Sequence, residues 1–169
     1  MSSPTTEPLP RVGIGDDTHR LGHGGPLRLG GVDVAGDFHA IGHSDADVLL
    51  HAVVDALMGA IAGPDIGRMF PDDRQENAGR DSRDFVAEAV RRVESSGHRI
   101  ANVDAVVLLQ RPKLAGVIDE IRQRIAEMLG LATSAVGLKA KTGEGVGEIG
   151  RSEAIQARVV VMVVPQMSA

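Results

Sequence analysis

Asp17, Thr18 and His19 stand at the end of an apolar-alternating segment, and His51 follows within a stretch of helical periodicity. A carboxylate and an imidazole two residues apart on an extended chain point the same way. A second imidazole arriving from a helix would complete three ligands for a divalent metal. Zinc accepts Asp and His together, and three protein ligands leave one coordination position open. The chain has no cysteine, so disulfides and thiolate metal sites are excluded, and any metal sits on oxygen and nitrogen. His43, Asp47, His51 and Asp55 also recur every four residues and read as one polar stripe along an otherwise apolar helix.

Three other segments carry charge or glycine. His43-Ser44-Asp45 reads as a helix start, with Ser44 as N-cap and Asp47 in the acidic position of a capping box. Backbone N–H groups there favour a phosphate, although plain capping by Ser44 accounts for the same residues. Gln110-Arg111-Pro112-Lys113 follows a buried apolar run, at the kind of strand end where ligands of sheet proteins bind. That turn suits a base or its phosphate, and equally a plain strand-to-helix connection. The run from Lys139 to Arg151 holds four glycines before its arginine, with Lys139, Lys141, Glu144 and Glu148 among them. Glycines let backbone N–H groups approach an anion, lysines neutralise it, and Glu144 offers an oxygen to magnesium. The Walker A order is absent, and a solvated glycine-rich hairpin would use the same residues.

The elements that must position these residues follow from periodicity and punctuation. Residues 11–15 read as a strand, and 27–34, around Gly30-Gly31, as a strand pair or bulged hairpin. From Ser44 the residues Leu50, Val54, Leu57 and Ile61 recur at helical spacing, and Gly63-Pro64 stops the helix. Residues 65–79 read as a long loop, 82–96 as a helix ended by Gly97, and 103–109 as a buried strand. A third helix spans 114–129 and closes at Gly130; strands follow at 136–140 and 157–164. This order predicts an α+β fold (an α/β sandwich) with one mixed four- to five-stranded sheet packed against helices. A single domain is expected over residues 11–165, between a disordered tail at 1–10 and a C-terminal tail at 166–169.

Composition narrows the partners. The 169 residues carry a net charge of −5, with 43% hydrophobic and only 2% aromatic residues, three Phe and no Trp or Tyr. An acidic chain without stacking platforms does not suit nucleic acid. No run of about 18 apolar residues exists to span a membrane, and the first ten residues lack the apolar core of an ordinary secretory signal. A cytoplasmic protein with a core of Val, Ile, Leu, Ala and Met is expected.

Taken in order, these pieces resemble the 2-C-methyl-D-erythritol 2,4-cyclodiphosphate synthases. The resemblance runs from Arg11 to about Val164. It rests on the residues from Gly13 to Leu21 (GIGDDTHRL), Gly42 to His51 (GHSDADVLLH), Asp65 to Asp72 (DIGRMFPD), Asp81 to Arg83, Arg111 to Lys113, and the glycine-rich run ending at Arg151. It implies conversion of 4-diphosphocytidyl-2-C-methyl-D-erythritol 2-phosphate to the 2,4-cyclodiphosphate with release of CMP, in non-mevalonate isoprenoid synthesis. It also implies zinc, or another divalent ion, on Asp17, His19 and His51, and magnesium or manganese on Glu144 with the substrate phosphates.

His43 and Ser44 would engage phosphate, with His43 and Thr142 closest to the chemistry. Asp65, Ile66, Gly67, Phe70 and Asp72 would hold the methylerythritol side. Gln110, Arg111, Pro112, Lys113, Ala140, Lys141, Thr142 and Arg151 would hold the cytidine and phosphate side. Such enzymes are homotrimers with sites between subunits. The chain departs from the common pattern at Lys141 and Gly143, at Glu148-Ile149, and at Asp16, which puts a second carboxylate beside Asp17. Two other readings keep the metal: a zinc hydrolase with Asp47 or His43 as base, and a non-catalytic metal-bound trimer.

Overall fold

The computed structural model describes residues 9–71, 73, 74, 77 and 79–166. The expected tails therefore fall mostly outside the described residues. Strand β1 (Arg11–His23) continues well past the residue at which its apolar alternation ends. It continues because its two faces serve different ends: Gly13, Gly15, Asp17, His19 and Leu21 turn toward a helix, while Val12, Ile14, Asp16, Thr18 and Arg20 stay exposed. The strand thus delivers Asp17 and His19 from its middle rather than its end. Strands β2 (Leu27–Leu29) and β3 (Val32–Val34) form the expected hairpin. Gly30 and Gly31 both have positive φ, which the tight two-residue turn requires. Strand β4 (Phe38–Ile41) pairs with β1 and is absent from the sequence reading, its four residues being too short for a periodic signal.

Helix α1 (Val48–Ala60) starts at Val48 and not at Ser44. Asp47 is its N-cap: Oδ1 accepts from the Leu50 N–H at 3.1 Å and the Gly30 N–H at 2.9 Å, and Oδ2 from the Gly31 N–H at 2.7 Å. One fully buried carboxylate starts the helix and ties it to the β2–β3 turn. This corrects the capping box assigned to Ser44 and Asp47. It also narrows the polar stripe, because His43 precedes the helix and Asp47 faces the interior. Within α1 every residue is buried except His51, Asp55 and Gly59. The helix lies so close to β1 that a Cβ on Gly13 or Gly15 would come within 1.9 Å of the carbonyl oxygens of Ala56 or Ala52.

A four-residue helix, α2 (Ile66–Met69), interrupts the expected loop; Asp65 caps it. Helix α3 (Ser82–Ser95) is followed by Gly97 at positive φ. Strand β5 (His98–Leu108) begins earlier than expected, since an irregularity between Ile100 and Asn102 breaks its alternation. Helix α4 (Ile118–Leu129) begins later than expected, with Gly116 just before it and no side-chain cap, and ends on left-handed Gly130. Strand β6 (Val136–Lys141), helix α5 (Gly147–Gly150) and strand β7 (Ala154–Pro165) complete the chain.

The mixed five-stranded sheet has the order β4-β1-β7-β5-β6, antiparallel except for the β5–β6 pair. This is the expected α+β architecture, with α1, α3 and α4 on one face. On the other face Val12 lies opposite Met162, and Ile14 opposite Val160. These four are 61%, 39%, 69% and 42% exposed, a contiguous apolar patch that no described element covers. No helix among the described residues is long and apolar enough to cross a membrane.

Candidate metal centre and substrate clefts

The pairing of β1 with β7 and the seating of α1 on both bring Asp17, His19 and His51 together. Their ligand atoms lie within 4.8 Å of one another. Oδ2 of Asp17 is 3.1 Å from Nδ1 of His51 and 3.2 Å from Nδ1 of His19. Nδ1 of His19 is buried and lacks the alignment for a hydrogen bond. A buried imidazole nitrogen without a hydrogen-bond partner, facing a carboxylate, is the arrangement that a cation completes. The three residues can hold a divalent metal.

Burial disfavours charge on both Asp17 and His19, yet each favours the charged form of the other. The imidazoles of His19 and His51 beside it favour its charged form, and Asp17 is held well below the ordinary carboxylate range. Asp17 likewise raises His19 above the ordinary histidine value, against the burial of its ring. Asp16 does not perturb this centre as its sequence neighbourhood suggests. It points to the opposite face, where Oδ2 accepts from Arg158 at 2.6 Å and Oδ1 from Gln156 at 2.9 Å.

A cleft of about 250 Å³ opens over the three ligands. His43, Ser44, Gly42, Ile66, Gly67, Phe70, Asn77 and Phe85 complete its lining. Ser44 does not sit at a free helix N-terminus; its hydroxyl lies 3.0 Å from Nε2 of His51. Asp65 is exposed and accepts from the Arg68 N–H at 2.8 Å, while the adjoining Ile66 and Gly67 line the cleft. Asp55 holds their backbone, with Oδ1 accepting from the Ile66 N–H at 2.7 Å. Phe70 stacks on Phe85 with ring centroids 4.3 Å apart, and Arg80 lies over both rings. Asp72 lies outside the described residues.

The other expected residues gather elsewhere. Pro112, Lys113, Ala140, Lys141 and Thr142 line a second cleft of about 420 Å³, walled by Leu109, Leu114, Ala115 and Ile118. Hydrogen bonding from the Leu109 N–H to the Lys141 carbonyl, at 2.8 Å, joins the ends of β5 and β6 beneath it. Gln110 carries a buried side-chain oxygen with no hydrogen-bond partner, and Arg111 is exposed beside it. Glu144 sits in the following turn at positive φ and accepts from the Thr142 hydroxyl at 2.8 Å. Arg151 joins neither cleft. It pairs with Glu153 and lines a separate depression with Arg20, His23 and Phe38.

The two main clefts share no lining residue. Asp17 pairs with Ala157, Ala157 with Val107, and Val107 with Ala140, so three strand spacings separate the two groups. That is about 14 Å across the sheet. Asp45, Ser82, Asp55 and Phe85 were not singled out as site residues from sequence. Ser82 lies within the Asp81–Arg83 motif, but nothing local in the sequence shows that its hydroxyl reaches His51, 31 positions earlier.

A mixed α+β domain whose open cleft converges on one carboxylate and two imidazoles has the framework of a metal-dependent enzyme. Residues 10–164 match the YgbB family, and the chain belongs to it. The chain is 70% identical over 160 residues to the 2-C-methyl-D-erythritol 2,4-cyclodiphosphate synthase of Rhodopirellula baltica, covering 93% of this chain and 96% of that one. It is 53% identical over 152 residues to the synthase of that name from Chromobacterium violaceum, covering 90% of this chain and 96% of that one. Among solved structures it is similar to an IspF of Plasmodium falciparum described as a CDP complex. The TM-score is 0.84 at 30% identity, covering 96% of this chain and all of that one.

Proposed function

We propose that this chain is the lyase its relatives are named for, closing 4-diphosphocytidyl-2-C-methyl-D-erythritol 2-phosphate into the 2,4-cyclodiphosphate. The observation that carries this is the convergence of Asp17, His19 and His51 at the base of a cleft, in a chain with such relatives. An oxygen of the 2-phosphate attacks the β-phosphorus, the bond from that phosphorus to the CMP oxygen breaks, and CMP leaves with the electron pair. A phosphate oxygen is already a nucleophile, so the task is orientation and charge stabilisation.

Zinc on Asp17, His19 and His51, and magnesium or manganese near Glu144, would supply positive charge that an acidic chain otherwise lacks. His43 and Ser44 bind phosphate at the mouth of the first cleft, and Ile66, Gly67 and Phe70 bound the methylerythritol portion. Lys113 and Lys141 neutralise the diphosphate, Thr142 turns its hydroxyl from Glu144 to donate to it, and the apolar wall of the second cleft takes the cytosine. Asp47 is no general base, since both its oxygens are taken by backbone N–H groups, which weighs against a hydrolase.

One chain holds the metal half and the cytidine half about 14 Å apart. We place the working site between copies, in a homotrimer joined through the Val12–Ile14–Val160–Met162 face. The chain acts as a single domain over residues 11–165, in the cytoplasm. The test is to incubate the purified protein with the diphosphocytidyl substrate and follow CMP by chromatography. Stoichiometric CMP and cyclodiphosphate are expected. Hydrolysis to an open-chain product would restore the hydrolase, and no product would leave a non-catalytic metal protein.

A further inference from the structure

His51 brings a ligand nitrogen from a helix, and its ring is held from behind. Nε2 lies 2.9 Å from the Ser82 hydroxyl and 3.0 Å from that of Ser44. Ser82 opens α3 and is fully buried. Its hydroxyl donates to Oδ1 of Asp45, and its backbone N–H donates to Oδ2 of the same carboxylate at 3.0 Å. A hydroxyl has one proton to give. With that proton on Asp45, Ser82 can only accept from His51, so Nε2 carries hydrogen and Nδ1 presents its lone pair. Nδ1 then faces Oδ2 of Asp17 at 3.1 Å, and two lone pairs at that distance require a cation between them. Ser44 dictates no tautomer, because its hydroxyl proton has no fixed acceptor; its oxygen receives only a long contact from the Ala46 N–H at 3.4 Å.

We propose that Asp45 and Ser82 form a positioning relay that fixes the tautomer and direction of His51 for metal binding. The proposal rests on the metal reading of Asp17, His19 and His51. Groups that orient a ligating imidazole through its other nitrogen change metal affinity even though they never touch the ion. The relay also reaches outward: the Asp45 N–H donates to the Arg80 carbonyl at 3.1 Å, and the Gly79 N–H to the His43 carbonyl at 3.0 Å. The segment that leads into α3 is thereby tied to the residues behind the metal ligand.

The test measures the metal directly. Zinc affinity is read by competition with a chromophoric chelator, and geometry by the visible spectrum of the cobalt(II)-loaded protein. Ser82→Ala should bind zinc roughly 10–100-fold more weakly with displaced cobalt bands. Asp45→Asn, which keeps the hydroxyl but removes its charged acceptor, should lose less. Unchanged affinity and spectrum in either folded variant overturn the relay. Nitrogen-15 NMR of the imidazole rings in the unmutated zinc protein needs no variant to fold, with the His51 resonances assigned by their loss in His51→Ala. Hydrogen on Nε2 supports the relay, and hydrogen on Nδ1 overturns it. If the unmutated protein binds neither zinc nor cobalt, the metal reading itself fails.

Discussion

The two clefts of this chain are built differently. In the first, the side chains that would do chemistry are braced from several elements: Asp17 by His51, His51 by Ser44 and Ser82, Ser82 by Asp45, and Ile66 by Asp55. In the second, Lys113 and Lys141 are exposed and have no ion-pair partner among the described residues, and the Gln110 side-chain oxygen is buried without one. Its walls are mostly aliphatic. The difference follows from what each would hold. A metal tolerates displacements of only a few tenths of an ångström, so its ligands must be locked before it arrives. A nucleotide brings many groups of its own and can order flexible cationic chains as it binds.

Four changes would break or sharpen this contrast. His51→Ala should strip the metal and lower CMP release on the order of 10³-fold while the chain stays folded, as metal analysis and a product assay would show. Full activity in a metal-free variant would mean that the braced cleft is not the chemical one. Ile14→Glu places a charge in the uncovered apolar patch and should shift the proposed trimer to monomer in sedimentation, with activity falling about 100-fold if the clefts must meet across copies. An active monomer would rejoin both clefts within one chain. Lys141→Ala should weaken CDP binding by roughly 10-fold in calorimetry and leave zinc content untouched. Equal loss of zinc would show that the clefts are not independent.

The smallest effect is on pH. Asp17 raises His19, so in the metal-free centre a proton is held above the ordinary histidine range and the ion must displace it. Metal affinity should therefore fall as pH drops from about 8 to 6, with protons released on binding, measured by calorimetry in buffers of different ionisation enthalpy. The second cleft, which holds none of the three metal ligands, should show little change in CDP affinity over the same range.

The sequence was legible where a feature repeats or punctuates. Gly30-Gly31 marked the hairpin, Leu50, Val54 and Leu57 marked α1, and the Asp17/His19 spacing with His51 marked the metal ligands. What it hid depends on partners far along the chain. Asp47 looked like a capping-box residue because its other contacts, the N–H groups of Gly30 and Gly31, lie across a fold that does not yet exist in the sequence. Ser82 and Asp45 meet across 37 positions, and no local pattern encodes that hydrogen bond. Strand β1 was cut short because a strand whose inner face changes from packing to chemistry loses its apolar alternation at that point.

Gly13 and Gly15 act as a ruler for the metal. Each lies under α1 where a methyl group would fall about 1 Å inside the closest contact real atoms make with the carbonyls of Ala52 and Ala56. Ala52 directly follows His51 on that helix, and Asp17 follows Gly15 by two residues on that strand. The distance between carboxylate and imidazole is therefore written in the side-chain carbons that the strand beneath it lacks. Replacing either glycine with alanine, an ordinary way to stiffen a chain, would lift the helix and open the ligand triangle from below without altering a single ligand.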